Sequence, residues 1–201
     1  MLDCFVMEQH IPERTVLTAT CESGFSGVLS VGLGRSDDTA SLSVPCAFGR
    51  SGVSGDKREG DMASPLGVFR LRTVHWRPDR GPRPVTGLPT VPIRRGDGWC
   101  DDPAHPLYNR PVRLPFAASR ERLWRDDHAY DVLVTLDHNA DPPVPGAGSA
   151  VFWHLTKTRG GPLTHTEGCV ATEETAMREI LARCGPGARL LITTSLRSSA
   201  G

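Results

Sequence analysis

Short runs in which apolar and polar residues alternate dominate the chain and predict a fold made mainly of β-strands. Alternating or β-branched runs lie at 15–20, 27–31, 41–48, 68–74, 130–137, 149–154 and 188–194. A period of two is typical of strands that bury one face. Because only short polar segments separate the first three runs, they predict a β-meander.

One segment has the pattern of a helix instead. Residues 172–183 begin at Thr172, a suitable N-cap, continue with two glutamates that suit a first turn, and stop before Gly185. The predicted buried stripe consists of Ala176, Ile180 and Leu181. The chain is therefore predicted to be mainly β (α+β), with a single prominent helix near its end.

The alternation is lost between 75 and 115, where proline, glycine, tryptophan and charged residues predominate. A long segment without regular structure inside a compact domain is usually functional, so 75–129 is predicted to be an inserted cap. A short helix is predicted at 119–125, with Trp124 in the core. Candidate ligand contacts in the cap are Trp99, Asp101, Asp102, Tyr108 and Asn109. For each of them, a loop held together by its own side chains is an equally good interpretation.

The length of the chain fits one domain, 1–201, and its charge balance argues against two classes of binding partner. The 21 glycines and 17 prolines among 201 residues favour turns and short strands. Basic and acidic residues balance at 23 each, so no charge excess indicates a nucleic acid or an anionic membrane. No apolar run approaches the ~18 residues of a membrane span. Residues 1–8 lack the basic start and apolar stretch of a signal peptide.

The six cysteines show no C-x-x-C spacing, which argues against a structural zinc site. His138 and Asp141 lack a third ligand at suitable spacing, so no metal is expected. Cys21 and Cys46 are compatible with a disulfide in an oxidising compartment, and also with free thiols. Cys184 is interpreted as a packing residue.

The candidate chemistry lies where an apolar run ends in His154 and a Gly/Pro loop leads to Gly168 and Cys169. A thiolate is the nucleophilic form of cysteine, and an imidazole or a helix N-terminus favours it. Gly168 leaves room for a carbonyl group to approach backbone N–H groups. Taken alone, a lone cysteine is more often a buried apolar residue and a lone histidine a satisfied polar group.

Two motifs resemble the L,D-transpeptidase (YkuD-domain) family. His154, a spacer and Thr166-Glu-Gly-Cys169 are similar to the family's His, spacer and Ser/Thr-His-Gly-Cys. Ser64-Pro-Leu-Gly-Val-Phe69 is similar to its Thr-Pro-x-Gly-x-Phe segment, and the two motifs frame residues 40–194. Two positions depart from the pattern, since Glu167 replaces the family's His and Ala171 its Arg or Asn. These departures resemble a proteobacterial branch of the family.

The resemblance implies a YkuD-like β-sandwich or mixed sheet, with one helix after the nucleophile. It also implies cross-linking of peptidoglycan stem peptides through a thioester on Cys169, with His154 as base and no cofactor. The N–H groups of Gly168 and Cys169 would bind the oxyanion, and the Leu155 carbonyl would orient the imidazole. Implied substrate contacts are Lys57, Arg58, Trp99, Tyr108, Asn139, Thr166 and Glu167. Carbapenem-type inhibitors are expected to acylate the thiol, and a periplasmic or cell-envelope location follows from the substrate.

Several alternatives remain open at this level. The cross-link joins either L-alanine to diaminopimelate (1,3-type) or two diaminopimelates (3,3-type). The same residues also suit a peptidase or carboxypeptidase that passes the thioester to water. A non-catalytic wall-binding domain is the third alternative, favoured by Glu167 and Ala171. Glu167 itself either raises the pKa of the thiol, pairs with a cation on the substrate, or points into solvent.

Overall fold

The computed structural model describes residues 15–32 and 42–195, which form fourteen strands and one α-helix. The strands are β1 Val16–Ser23, β2 Ser26–Gly32, β3 Leu42–Ala47, β4 Val53–Ser54, β5 Ser64–Pro65, β6 Gly67–Trp76, β7 Thr90–Pro92, β8 Asp97–Cys100, β9 Pro111–Arg113, β10 Arg120–Arg122, β11 Val132–Leu136, β12 Phe152–Leu155, β13 Val170–Thr172 and β14 Arg189–Thr194. The helix, α1, spans Glu174–Leu181. The prediction for residues 1–8 and most of the polar segment between the runs at 27–31 and 41–48 concern residues outside this part.

Nine strands form one sheet in the order β11-β12-β13-β3-β2-β1-β14-β6-β7. Because β11 also pairs with β6, eight of these strands close into a ring, which leaves few free strand edges. The prediction of a mainly β fold with one helix is confirmed. The interior is filled by the apolar side chains of the alternating strands, among them Leu17, Leu29, Trp153 and Leu190.

The predicted β-meander is confirmed, since β1, β2 and β3 pair antiparallel in succession. Cys21 and Cys46 both lie opposite Gly27 on β2, so one strand separates them. Two strand spacings amount to about 9–10 Å, which exceeds the Cα separation of a disulfide. Both residues are accordingly free thiols.

Helix α1 is shorter than the sequence predicts, and its N-cap is Glu173 rather than Thr172. The Glu173 carboxylate accepts the N–H of Thr175 at 2.7 Å. Thr172 instead ends β13, where it pairs with Leu155 and its hydroxyl accepts the Trp153 indole N–H at 2.9 Å. The sheet therefore extends into the segment that local propensity assigns to the helix. The buried residues of α1 are Glu174, Met177, Ile180 and Leu181.

The region predicted as a cap contains regular structure. Strand β6 runs to Trp76 and pairs with β7, so both belong to the main sheet. Strands β8, β9 and β10 form a separate three-stranded sheet. The helix predicted at 119–125 is wrong, because Arg120–Arg122 is strand β10 and pairs with β8 across Glu121 and Trp99. Non-local pairing with β8 satisfies this backbone where a helix would have satisfied it locally.

A second apolar cluster joins the small sheet to the main sheet. It contains Ile93, Leu123, Ala129, Tyr130, Leu133, Phe152 and Cys169. Trp124 packs on its edge, half-buried, with the Arg77 guanidinium 3.6 Å from its ring centroid. The candidate nucleophile therefore lies at the junction of the two sheets. Within residues 15–32 and 42–195, no helix has the length and apolar character needed to cross a membrane.

Candidate active site

His154 and Cys169 come together because β12 and β13 are parallel neighbours. His154 pairs with Ala171, so Cys169 lies at the entrance of β13, level with the start of β12. Both side chains line a single cavity of about 190 Å³ between the two sheets. The sequence separates the two residues by a loop, and the parallel pairing brings them to one place.

The Cys169 thiol is buried and held by backbone groups of the β12 segment. Its Sγ accepts the Phe152 N–H at 3.3 Å and donates to the Ala150 carbonyl at 3.3 Å. Burial raises the pKa of the Cys169 thiol to about 12, although the Phe152 hydrogen bond opposes the rise. In this resting arrangement burial therefore outweighs the groups that favour the thiolate. Strand β13 lies between Cys169 and the start of α1. Because the effect of a helix dipole falls off within about one turn, the N-terminus of α1 does little to favour the thiolate.

The His154 imidazole is fixed by its neighbour in the chain. Its Nδ1 lies 2.7 Å from the Leu155 carbonyl oxygen, and because a carbonyl only accepts, Nδ1 carries the proton. This leaves Nε2 as the basic nitrogen. Burial lowers the pKa of His154 to about 4, and the Leu155 hydrogen bond opposes that shift. Thiol and imidazole are thus both neutral at pH 7.

The turn before Cys169 is held by two buried hydroxyl groups. Thr166 Oγ1 accepts the Gly168 N–H at 3.1 Å and donates to the Cys169 carbonyl at 2.8 Å. Ser64 donates to the same carbonyl at 2.9 Å and accepts the Gly49 N–H at 2.9 Å. Thr166, predicted as a substrate contact, is therefore occupied within the protein. The Gly168 N–H, predicted as an oxyanion donor, is likewise engaged.

Lys57 lies beside the nucleophile, on the side of Gly168. Its Nζ lies 2.6 Å from Asp61 Oδ1, and its side chain is 8% exposed. Its positive charge favours the thiolate of Cys169 and so opposes the effect of burial on the pKa of that thiol. Arg58 points away from the cavity and pairs with Asp56 at the surface. Glu167 is exposed at the mouth of the cavity.

The wall on the His154 side comes from the cap region and was not predicted. Arg125 Nη1 lies 2.7 Å from Glu121 Oε1, and the guanidinium is 4.9 Å from the Tyr130 ring centroid. The Tyr130 ring meets the His154 ring edge-on at 5.3 Å between centroids. Burial raises the pKa of Glu121, an effect that Arg125 opposes. No local pattern marks these residues, because strand pairing outside the motifs brings them to the cavity.

Of the other predicted contacts, Asp101 lines the cavity, whereas Trp99, Asp102, Tyr108, Asn109 and Asn139 do not. The Trp99 indole N–H donates to Asn109 Oδ1 at 2.8 Å, and the Tyr108 hydroxyl donates to Glu59. Asn139 holds a turn by donating to the Val144 carbonyl at 3.0 Å. These polar groups have partners within the chain and fasten the cap to the main sheet.

Asn109 has a positioning role that the sequence did not reveal. It accepts the Ala150 N–H at 3.1 Å, and the Ala150 carbonyl in turn accepts the Cys169 thiol. Ala150 has φ +50°, a left-handed conformation that is uncommon for a residue with a Cβ. The cap and the thiol are thus connected through one strained residue.

His138 and Asp141, which the sequence does not predict to bind a metal, both have partners within the protein. His138 Nε2 is 3.0 Å from the Ala147 carbonyl, and Asp141 pairs with Arg72 and Arg110. In the part of the chain that the structure describes, no three His, Cys, Asp or Glu side chains are grouped as metal ligands.

Comparison with protein families shows which family the chain matches. Residues 34–192 match the family model YkuD, described as the L,D-transpeptidase catalytic domain. The matched range includes the cavity, both motifs and the small sheet. Comparisons with curated proteins and with solved structures found no match.

Proposed function

Because this chain belongs to the family of L,D-transpeptidase catalytic domains, we propose that it cross-links peptidoglycan stem peptides through a thioester on Cys169. The main support is that Cys169 and His154 line one cavity, with the imidazole fixed by the Leu155 carbonyl. A thiol and a base oriented by a third group form the arrangement that nucleophilic catalysis requires. A location in the cell envelope is proposed on the same ground, because the family acts on peptidoglycan.

In the first half-reaction the thiol attacks a stem-peptide carbonyl that follows an L-centre. The Sγ–C bond forms as the thiol proton passes to His154 Nε2, and the carbonyl becomes an oxyanion. When the oxyanion collapses, the C–N bond breaks and His154 returns the proton to the leaving amine. A thioester remains on Cys169.

The second half-reaction transfers the acyl group to an amine. The acceptor attacks the thioester carbon and gives its proton to His154 Nε2. The C–S bond then breaks, and the sulfur takes the proton back. No net proton is gained or lost, and a peptide bond has replaced the one that was cleaved.

The resting geometry determines how this cycle starts. Thiol and imidazole are both neutral, so proton transfer accompanies attack rather than preceding it. The thiol proton must turn from the Ala150 carbonyl towards Nε2. Oxyanion donors are the N–H groups of Cys169 and Gly168, and Gly168 joins when its bond to Thr166 is exchanged for one to the substrate.

Substrate carboxylates are proposed to lie towards Lys57, whose buried ammonium borders the cavity beside Gly168. Glu167 at the mouth is proposed to face a cationic group of the stem peptide. The cross-link is proposed to be the 1,3-type, which the Glu167 and Ala171 variations favour by resemblance. Mass analysis of reacted muropeptides tests this choice, and exclusively 3,3-linked products would refute it.

Intact-mass measurement with a carbapenem tests the central proposal. We expect one acyl adduct on the wild-type protein and on Cys100→Ala, whose cysteine is buried outside the cavity. Cys169→Ala should give none, and His154→Ala should acylate much more slowly. An adduct that persists in Cys169→Ala would overturn the assignment of the nucleophile. Stem peptide with and without an acceptor amine then separates transfer from hydrolysis, since a peptidase would give only hydrolysed product.

A further inference from the structure

Different side chains form the two walls of the cavity. On one side Lys57 lies against Gly168, since a Cβ at Gly168 would be 3.5 Å from Lys57 Cε. On the other side Tyr130 packs on the His154 ring, the Arg125 guanidinium lies over the Tyr130 ring, and Glu121 pairs with Arg125 and lines the cavity. Glu121 therefore belongs to the wall next to the base.

The chemistry requires that the acceptor bind on the base side. His154 Nε2 gives its proton to the leaving amine and later takes a proton from the entering amine. Both amines must therefore occupy the position between Nε2 and the thioester carbon. The wall beside that position is formed by Tyr130 and the cap residues Glu121 and Arg125.

We propose that Glu121 determines acceptor specificity by binding the ammonium group of the incoming amine and holding it beside His154 Nε2. The acceptor class is a primary amine that is protonated in solution, such as the amino group of an amino acid. This inference rests on the proposed transfer reaction and adds the residue that selects its second substrate. The bound ammonium first releases one proton to solvent, which frees the nitrogen lone pair for attack. A second proton passes to His154 Nε2 as the C–N bond forms, and from there to the sulfur as the C–S bond breaks.

The charges around Glu121 support this role. Arg125 is shared between Glu121 at 2.7 Å and Asp127 at 2.6 Å, so the guanidinium does not neutralise Glu121 alone. Asp101 lines the same cavity, and its Oδ1 is buried without a hydrogen-bond partner. A buried acceptor atom without a donor favours a ligand that carries N–H groups. Arg125 keeps the Glu121 carboxylate in place, which limits the entropic cost of binding.

The partition of the thioester between an amine and water measures this role directly. Wild type and Glu121→Gln are acylated with stem peptide near pH 7 and are then given one of two nucleophiles. At this pH glycinamide is mostly an ammonium ion, whereas hydroxylamine is mostly neutral. We expect Glu121→Gln to reduce transfer to glycinamide relative to hydrolysis by roughly tenfold or more, the scale of one hydrogen bond to a charged group. The ratio for hydroxylamine should not change.

Glu179→Gln is a matched control, because Glu179 also pairs with an arginine four residues later, at 2.9 Å, on the surface of α1. It should leave both ratios unchanged. An unchanged glycinamide ratio in Glu121→Gln would overturn the proposal. An equal loss for both nucleophiles would also overturn it, since that result indicates a structural role for the Glu121–Arg125 pair.

A binding measurement keeps this inference separate from the transfer reaction. Glycinamide is titrated into Cys169→Ala and followed by NMR shifts of the cavity residues, with Cys169→Ala/Glu121→Gln as comparison. We expect saturable shifts near Tyr130, and we expect the affinity for glycinamide that they report to be roughly tenfold weaker in the double variant. Equal shifts in both proteins would refute the role of Glu121. Failure of wild type to form a thioester would instead refute the proposed function, and the titration would still decide on Glu121.

Discussion

Replacing Gly168 by alanine tests the geometry of the nucleophile turn most directly. Gly168 has φ +140°, a conformation available essentially to glycine alone. An added Cβ would lie 2.9 Å from the Ala63 carbonyl oxygen. That oxygen belongs to the backbone just before β5, so it cannot turn aside as a flexible side chain would.

The expected cost has two parts. Holding alanine at this φ costs about 1–3 kcal/mol, and the close contact with Ala63 adds a similar amount, as for an overpacked core. A total of about 2–5 kcal/mol corresponds to a fall in melting temperature of roughly 5–15 °C for a domain of this size. Relief of the strain would move Cys169 away from the Ala150 carbonyl and Nε2, so acylation should slow as well.

Thermal unfolding by circular dichroism and the rate of carbapenem acylation measure the two effects. Gly24→Ala is the matched control, because Gly24 has φ +57° and its added Cβ would meet no atom within 4 Å. Its cost should stay at about 1–2 kcal/mol, with acylation unaffected. If Gly168→Ala matched Gly24→Ala in stability and acylated at the wild-type rate, the proposed constraint on the turn would be refuted.

Two further predictions concern the same site. Ser64→Ala leaves the buried Gly49 N–H without its partner and removes one donor to the Cys169 carbonyl. It should therefore lower the free energy of unfolding by about 1–3 kcal/mol and slow acylation. Ser64→Thr should retain most of the stability and of the acylation rate, and equal acylation rates for Ser64→Ala and wild type would contradict this reasoning. The acylation rate should be nearly flat between about pH 5 and pH 9, because His154, with its pKa lowered to about 4, stays basic there and Cys169, with its pKa raised to about 12, stays protonated. The rate should fall only as His154 gains its proton near pH 4, and a limb near the ordinary histidine pKa of about 6.5 would show that the imidazole is not buried as described.

The sequence by itself determined the local features of this protein. Alternation predicted β1, β2, β3, β6, β11, β12 and β14, because the side-chain period of a strand is written in consecutive residues. Cap residues and periodicity placed α1 to within a few residues of its ends. The two motifs indicated the family, and the family match spans both.

Only the tertiary structure decided how these pieces form a site. The pairing of β11 with β6 closes the sheet, and the pairing of β10 with β8 turns an expected helix into a strand. These contacts bring Glu121 into the same cavity as His154, although nothing in the local sequence relates the two residues. The protonation state of Cys169 was decided in the same way, because a pKa depends on burial and on neighbouring charges supplied by distant parts of the chain. Residue types and spacing are local properties of a chain, whereas desolvation and the geometry of a cavity exist only after distant segments have packed.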